Sequence, residues 1–258
     1  MTDQAMAPSP VPHIGKVTVA EIWTSLKAGL HDFRRAPVYG LFFAAFYVVL
    51  GFILIFLGAG TFVWTLALSL GFPLVAPFAA VGLYEVSRRL EAEEPLVWSE
   101  ILGVVLSEKD RQLPWMGVII LMIFLFWSFF AHMLFALFMG LSTLTNISTS
   151  YEALLTANGL TMIALQIAIG AAVAFLVFSL TVVSLPLLLE KEIDFVTAMI
   201  VSMRCVGQNL GVMLVWAMII AGLLFMGMLP YFLGLFVVLP VLGHATWHLY
   251  RRALYDPV

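Results

Sequence analysis

Long apolar runs alternate along the chain with short charged segments, and the spacing of the charges sets the number of elements. Between Arg35 and Arg88 no basic residue interrupts a stretch far longer than the roughly 20 residues that one helix needs to cross about 30 Å of hydrocarbon. This interval predicts two spans, about Pro37 to Leu57 and Phe62 to Tyr84, with the turn at Gly58-Ala59-Gly60-Thr61 and kinks at Pro73 and Pro77. Further spans are predicted at about Pro114 to Leu141, Gly159 to Leu189 with Pro186 near its end, Leu210 to Met228 and Tyr231 to Tyr250, the last two joined at Pro230. Gly170, Ala171, Ala172 and Ala174 give the fourth span a small-residue face suited to close packing.

The charged segments have a different period. From Val17 to Arg35 apolar residues fall at helical spacing (Ile22, Leu26, Leu30, Phe33) against Glu21, Lys27, Asp32 and Arg34, which predicts an amphipathic helix on the membrane surface. A second such segment runs from Pro95 to Lys109, and a third lies within Glu190 to Asn209, with Phe195, Met199 and Met203 in register. Trp23 and Trp98 suit the interface. Residues 1–16 are Pro-rich and polar, and predict a disordered tail; residues 253–258 form a short second tail.

Composition agrees with this pattern. The 258 residues are 63% hydrophobic and only 10% charged, with a mean hydropathy of +1.07, far from the balance of a soluble domain. A net charge of -3 gives no reason to expect nucleic acid as a partner. One cysteine, Cys205, excludes an internal disulfide and a multi-thiolate metal site. No apolar run of signal-peptide length precedes the first span, so that span is expected to act as its own insertion signal.

The distribution of charge adds orientation. All 12 Lys and Arg residues fall before the first predicted span, between the second and third, between the fourth and fifth, and after the sixth. These four places share one face of a six-span chain, and the positive-inside rule puts them, with both termini, in the cytoplasm. The fold class read from the sequence is therefore an all-α membrane protein. Six transmembrane helices form three hairpins over residues 17–252, each preceded by an amphipathic cytoplasmic helix, with both termini inside. A threefold repeat over 17–89, 95–191 and 194–252 is one reading of this order. Its clearest sign is Pro77 with Arg88-Arg89 and Pro240 with Arg251-Arg252 at the same spacing, which puts Glu85 opposite His248.

Three stretches, Gly82-Leu83-Tyr84-Glu85-Val86-Ser87-Arg88-Arg89-Leu90-Glu91, Ser184 to Met199, and Gly243 to Arg252, resemble those of a bacterial family of integral membrane proteins catalogued as domain of unknown function 2189. The likeness runs from about Val17 to Arg252. It implies a six-span protein of the bacterial inner membrane and brings no catalytic residues with it.

Candidate chemistry concentrates in the last span. His244 and His248, one helical turn apart, share a face and could ligate a metal ion or haem. At about 1.5 Å per residue His248 lies roughly 4 to 5 Å and His244 roughly 10 Å from Arg251, close to the cytoplasmic surface and far from His132. Companions at that depth are Glu85 and, if the threefold repeat holds, Asp194. The commoner role for such histidines is hydrogen bonding at a polar helix end, so no cofactor is the leading expectation, with metal or haem as the alternative. The Phe-rich third span suggests lipid-facing bulk before a cofactor cradle. No phosphate loop, nucleophile elbow or pair of carboxylates facing a pocket is evident, so catalysis is not expected. The mid-membrane positions hold essentially no ionisable group of the kind ion-coupled transport uses. The leading reading is a non-enzymatic accessory, assembly or scaffold protein that contacts lipid and other membrane proteins or copies of itself. The alternative is a transporter or channel for an uncharged or apolar solute.

Overall fold

A computed structural model of the chain describes residues 12–56, 62–140 and 154–255, and for residues 54, 55 and 62–75 the backbone alone. The described residues are helical and contain no strand. In order they form α1 (Val19–Arg35), α2 (Pro37–Phe56), α3 (Phe62–Glu91), α4 (Trp98–Ser107) with a 3-10 turn at Glu108–Asp110, α5 (Leu113–Met139), α6 (Ala157–Thr181), α7 (Ser184–Glu190), α8 (Phe195–Gln208), α9 (Leu210–Met228) and α10 (Leu235–Leu254).

The connecting helices carry local start signals. Thr18 and Glu21 close a capping box on α1, the Glu21 side chain accepting from the Thr18 backbone N–H at 2.6 Å. Asp194 caps α8 by accepting from the Thr197 backbone N–H at 2.9 Å. Pro37 opens α2, and the chain bends there by 101° between α1 and α2.

Three helical stretches are long and apolar enough to cross a membrane: α5, Ala157–Glu190 (α6 with α7), and α9. The bent α1–α2 pair makes a fourth if counted as one broken span. This is fewer than the six read from hydropathy, and two reasons are visible. For α3 the described side chains begin only at residue 76, and the first predicted turn, residues 58–61, and most of the polar loop after α5, residues 141–153, lie outside the described residues. The sixth stretch starts its helix at Leu235, not at Tyr231. Tyr231 and Phe232 have φ of 50° and 64°, which ends regular helix and shortens the apolar part of α10.

The surface helices do not lie apart from the bundle. α1 runs along α10, α4 packs on α3, and α8 packs on α6 and α7. The most buried stripe of α1 is Ile22, Ser25, Gly29 and Asp32, not the purely apolar stripe that the spacing suggested. At Gly29 the backbones of α1 and α10 nearly touch, and a Cβ there would lie 2.5 Å from the Ala245 nitrogen and 2.6 Å from the Val241 oxygen. A second close approach occurs at Gly243, where a Cβ would meet Leu83 Cδ1 of α3 at 2.6 Å. Small residues allow helices to pack this closely where lipid, being as apolar as leucine, gives no hydrophobic drive to associate.

Each connecting segment is also tied to the junction before it. Tyr39, at the start of α2, donates to the Leu96 carbonyl ahead of α4 at 2.8 Å. Gln112, ahead of α5, accepts from the Phe195 N–H at 3.3 Å. Asn209, between α8 and α9, accepts from the Val17 N–H at 2.9 Å and donates to the Gly15 carbonyl at 3.1 Å. This last contact, with the Gly15 N–H donating to the Ala253 carbonyl at 2.8 Å, holds the end of the N-terminal tail against the bundle. The expected tail therefore does not extend as an unpacked segment to residue 16. At the other end Ala253 and Leu254 are buried in the last turn of α10, two residues beyond the expected boundary at Arg252.

The main core sits where the helices carry their charges, around Trp216, Trp247, Tyr250, Leu113, Met116 and Leu187. Away from it the helices part. In α5 only 6% of the most apolar window is buried, and Phe126 and Phe129 are 73% and 66% exposed. On α6, Gly170 accepts the Trp127 ring of α5, while Ala171, Ala172 and Ala174 of the expected small-residue face remain exposed. Gln166 ties the same pair by donating to the Ala131 carbonyl at 3.0 Å.

Candidate functional site

The two glycine crossings set α1, α3 and α10 side by side at the charged end, and polar groups from all three meet one turn beyond. His248 Nε2 lies 2.7 Å from Asp32 Oδ2. Ser87 Oγ lies 2.9 Å from the same oxygen and 2.8 Å from His244 Nδ1. Ser87 has one proton, and the carboxylate can only accept. The consistent assignment is that His244 Nδ1–H donates to Ser87, Ser87 donates to Asp32, and His248 Nε2–H donates to Asp32. His244 is fully buried, and its Nε2, left as an acceptor, has no partner. Such an orphan costs about 1 to 3 kcal/mol.

The order of these groups limits their chemistry. In a hydrolytic triad the imidazole stands between serine and carboxylate and takes the serine proton. Here the serine stands in the middle and gives its proton to Asp32, so the imidazole does not activate it.

A second constellation surrounds a cavity of about 610 Å³ between the ends of α3, α7 and α10 and the α4–α5 connection. Glu85 is 1% exposed and accepts from Arg88 Nε at 2.8 Å and Arg89 Nε at 2.7 Å. Arg88 also meets Glu94 at 3.1 Å, and Arg89 meets Glu100 of α4 at 2.5 Å. Arg111 joins Glu108, at 2.6 Å, to Glu192. Arg251 joins Glu190, at 2.9 Å, to Glu91, at 3.3 Å. Trp247 Nε1 donates to Glu91 at 3.0 Å, and the Tyr250 hydroxyl to Glu190 at 2.5 Å. Each guanidinium thus bridges two carboxylates.

Burial has opposite outcomes for two carboxyls outside the apolar spans. Burial alone would push Asp32 up, but the hydrogen bond and charge of His248, with the Ser87 hydroxyl, hold it below the ordinary range. For Glu108 burial prevails over Arg111, with Glu192 adding repulsion, and its pKa is raised.

Of the residues singled out in the sequence, His244 and His248 meet Asp32 and Ser87. Glu85 belongs to the neighbouring ion network, and Asp194 is occupied as the cap of α8. The four do not converge on a common point. Among the described residues no group of three His, Cys, Asp or Glu side chains could hold a metal ion. Asp32, Ser87, Glu108, Glu190 and Trp247 were not legible as site residues. One signal existed for Asp32, which shares the stripe of Ser25 and Gly29 on a helix otherwise rich in larger side chains.

Residues 63–190, from α3 to α7, match the family described as "Predicted integral membrane protein (DUF2189)". This part of the chain belongs to that family. It contributes Ser87 and the Glu85, Arg88, Glu108, Arg111 and Glu190 side of the cavity, whereas α1 and α10 lie outside the matched residues. No curated protein and no solved structure matches the chain.

The Asp32 cluster gives a pH dependence with a definite sign. A carboxyl whose pKa is lower folded than unfolded stabilises the fold above its unfolded pKa, and this contribution is lost as pH falls through the folded value. Asp32→Asn is expected to cost about 1.5 to 3 kcal/mol at neutral pH and to flatten the acid limb of stability. Thermal unfolding in mild detergent between neutral and strongly acidic pH measures both.

Proposed function

We propose that the chain is a non-enzymatic membrane protein that assembles with other membrane components, or with copies of itself, through its span helices. The observation that carries this reading is the division of surface. α5 and α9 leave most of their apolar length open, with 6% and 17% of their most apolar windows buried, while the described polar groups of the rim are occupied largely with one another. Chemistry directed inward and apolar surface directed outward suit a packing partner better than a catalyst. The bilayer covers such surface by default, and a partner displaces it locally. A second reading, handling of a small solute, is favoured by the rim cavity of about 610 Å³.

The architecture proposed with this function is six spans in a bacterial inner membrane, with both termini and the charged rim in the cytoplasm. The charge distribution supports it. The three junction bonds from Tyr39, Gln112 and Asn209, each holding the start of a connecting segment, run in the cyclic order that a threefold repeat generates.

Two measurements test these statements. In a Cys205→Ser background, Lys109→Cys and Glu192→Cys are expected to react with an impermeant maleimide only from the cytoplasmic side, and Ser148→Cys only from the other; reaction of all three from one side contradicts the topology. A photo-crosslinking phenylalanine at Phe126 or Phe129 is expected to give a discrete protein adduct in cells. Adducts with lipid alone contradict the assembly reading.

A further inference from the structure

The rim cavity is built for a particular charge. Its lining holds four carboxylates, Glu85, Glu91, Glu108 and Glu190, against three guanidiniums, those of Arg88, Arg111 and Arg251, leaving one negative charge in excess. Every guanidinium already meets two carboxylates, so an anion entering the cavity would have to displace a bound carboxylate and meet the remainder. Two of the wall carboxylates, Glu85 and Glu108, are nearly inaccessible to water, at 1% and 2% exposure. Glu108 has one guanidinium partner and a like charge, Glu192, on the same arginine. Its raised pKa reports burial and repulsion that Arg111 does not fully offset.

The rest of the wall selects among cations. Trp247, Leu189 and Val104 supply aromatic and aliphatic surface between the charges. Among the described residues no three ligating side chains converge closely enough for a metal ion. A volume of about 610 Å³ falls within the range of about 300 to 1,000 Å³ typical of small-molecule pockets. An organic ammonium or guanidinium with a short aliphatic body satisfies these conditions together, its charged ends against the more open Glu91 and Glu190 and its methylenes against Leu189 and Val104.

We propose that the cavity between the ends of α3, α7 and α10 binds a small organic cation of the aliphatic amine class. The site rests on the cavity that favours the solute reading of function; the assembly reading stands without it, and crosslinking at Phe126 is indifferent to it. A solute, not the basic side chain of a partner protein, is the occupant favoured, because the lining comes from four separate segments grouped around one volume, with room for a small molecule.

The test uses the full chain purified in mild detergent, with three probes of equal length: cadaverine, pentanediol and glutarate. Calorimetry is expected to detect cadaverine at submillimolar to low millimolar affinity, with pentanediol and glutarate at least tenfold weaker. Glu190→Gln is expected to weaken cadaverine tenfold or more. Because Glu190 also holds Arg251 and Tyr250, a second variant, Ser107→Phe, fills the cavity without removing an ion pair. The Ser107 hydroxyl donates only to the Val104 carbonyl of its own helix. It is expected to abolish cadaverine binding and leave thermal unfolding nearly unchanged. The proposal is overturned if no probe binds, if pentanediol binds as well as cadaverine, if glutarate is preferred, or if Ser107→Phe binds cadaverine undiminished.

Discussion

The close approach of three helices at one end of the bundle is the constraint from which the rest follows. α1 and α10 come close enough at Gly29 that a Cβ would strike the α10 backbone, and α3 meets α10 at Gly243. At such separation the side chains one turn farther on have no water to turn to, and Asp32, Ser87, His244 and His248 satisfy one another. A larger residue at Gly29, where the obstruction is α10 backbone, would part the helices and leave a carboxylate buried without its donors, which is far costlier than losing an apolar contact. Close packing and the polar cluster are thus one arrangement.

The same end concentrates the ion pairs that join α3 to α4 through Arg89 and Glu100, and α10 to α3 and α7 through Arg251. Exposed ion pairs contribute little individually. Their effect here comes from sharing: Arg88, Arg89, Arg111 and Arg251 each bridge two carboxylates from different positions, which fixes the relative placement of helix ends around a space. Along much of their apolar length the described residues of α5 and α9 leave surface open. The molecule is consequently held at its charged rim and loosely packed along much of its hydrocarbon-facing length.

Much of the helix pattern was legible because hydropathy and charge report it directly. The start of α2 follows from Pro37 and the break before α7 from Pro186, whereas the N-caps of α1 and α8, Thr18 with Glu21 and Asp194, emerge only in the structure. The start of α10 was not legible, because Pro230 marks a turn without revealing that Tyr231 and Phe232 adopt positive φ. For the site, the His244 and His248 pair stood out because polar residues are rare in apolar runs. Their true companions were hidden. Asp32 read as the solvated face of an amphipathic helix, and Ser87 is an ordinary helix residue until α10 is laid against it. Periodicity identifies which face is apolar, but not that the deepest contact of α1 is made by its small and polar stripe.

The central claim is that Asp32 and His248 bind α1 to α10 as a coupled pair within that crossing. A double-mutant cycle of Asp32→Asn and His248→Gln, read by chemical or thermal unfolding in mild detergent, tests it most directly. The account predicts a coupling energy of about 1 to 3 kcal/mol, in the range found for contacting residues of one network. Additive effects, with coupling below about 0.5 kcal/mol, would contradict it.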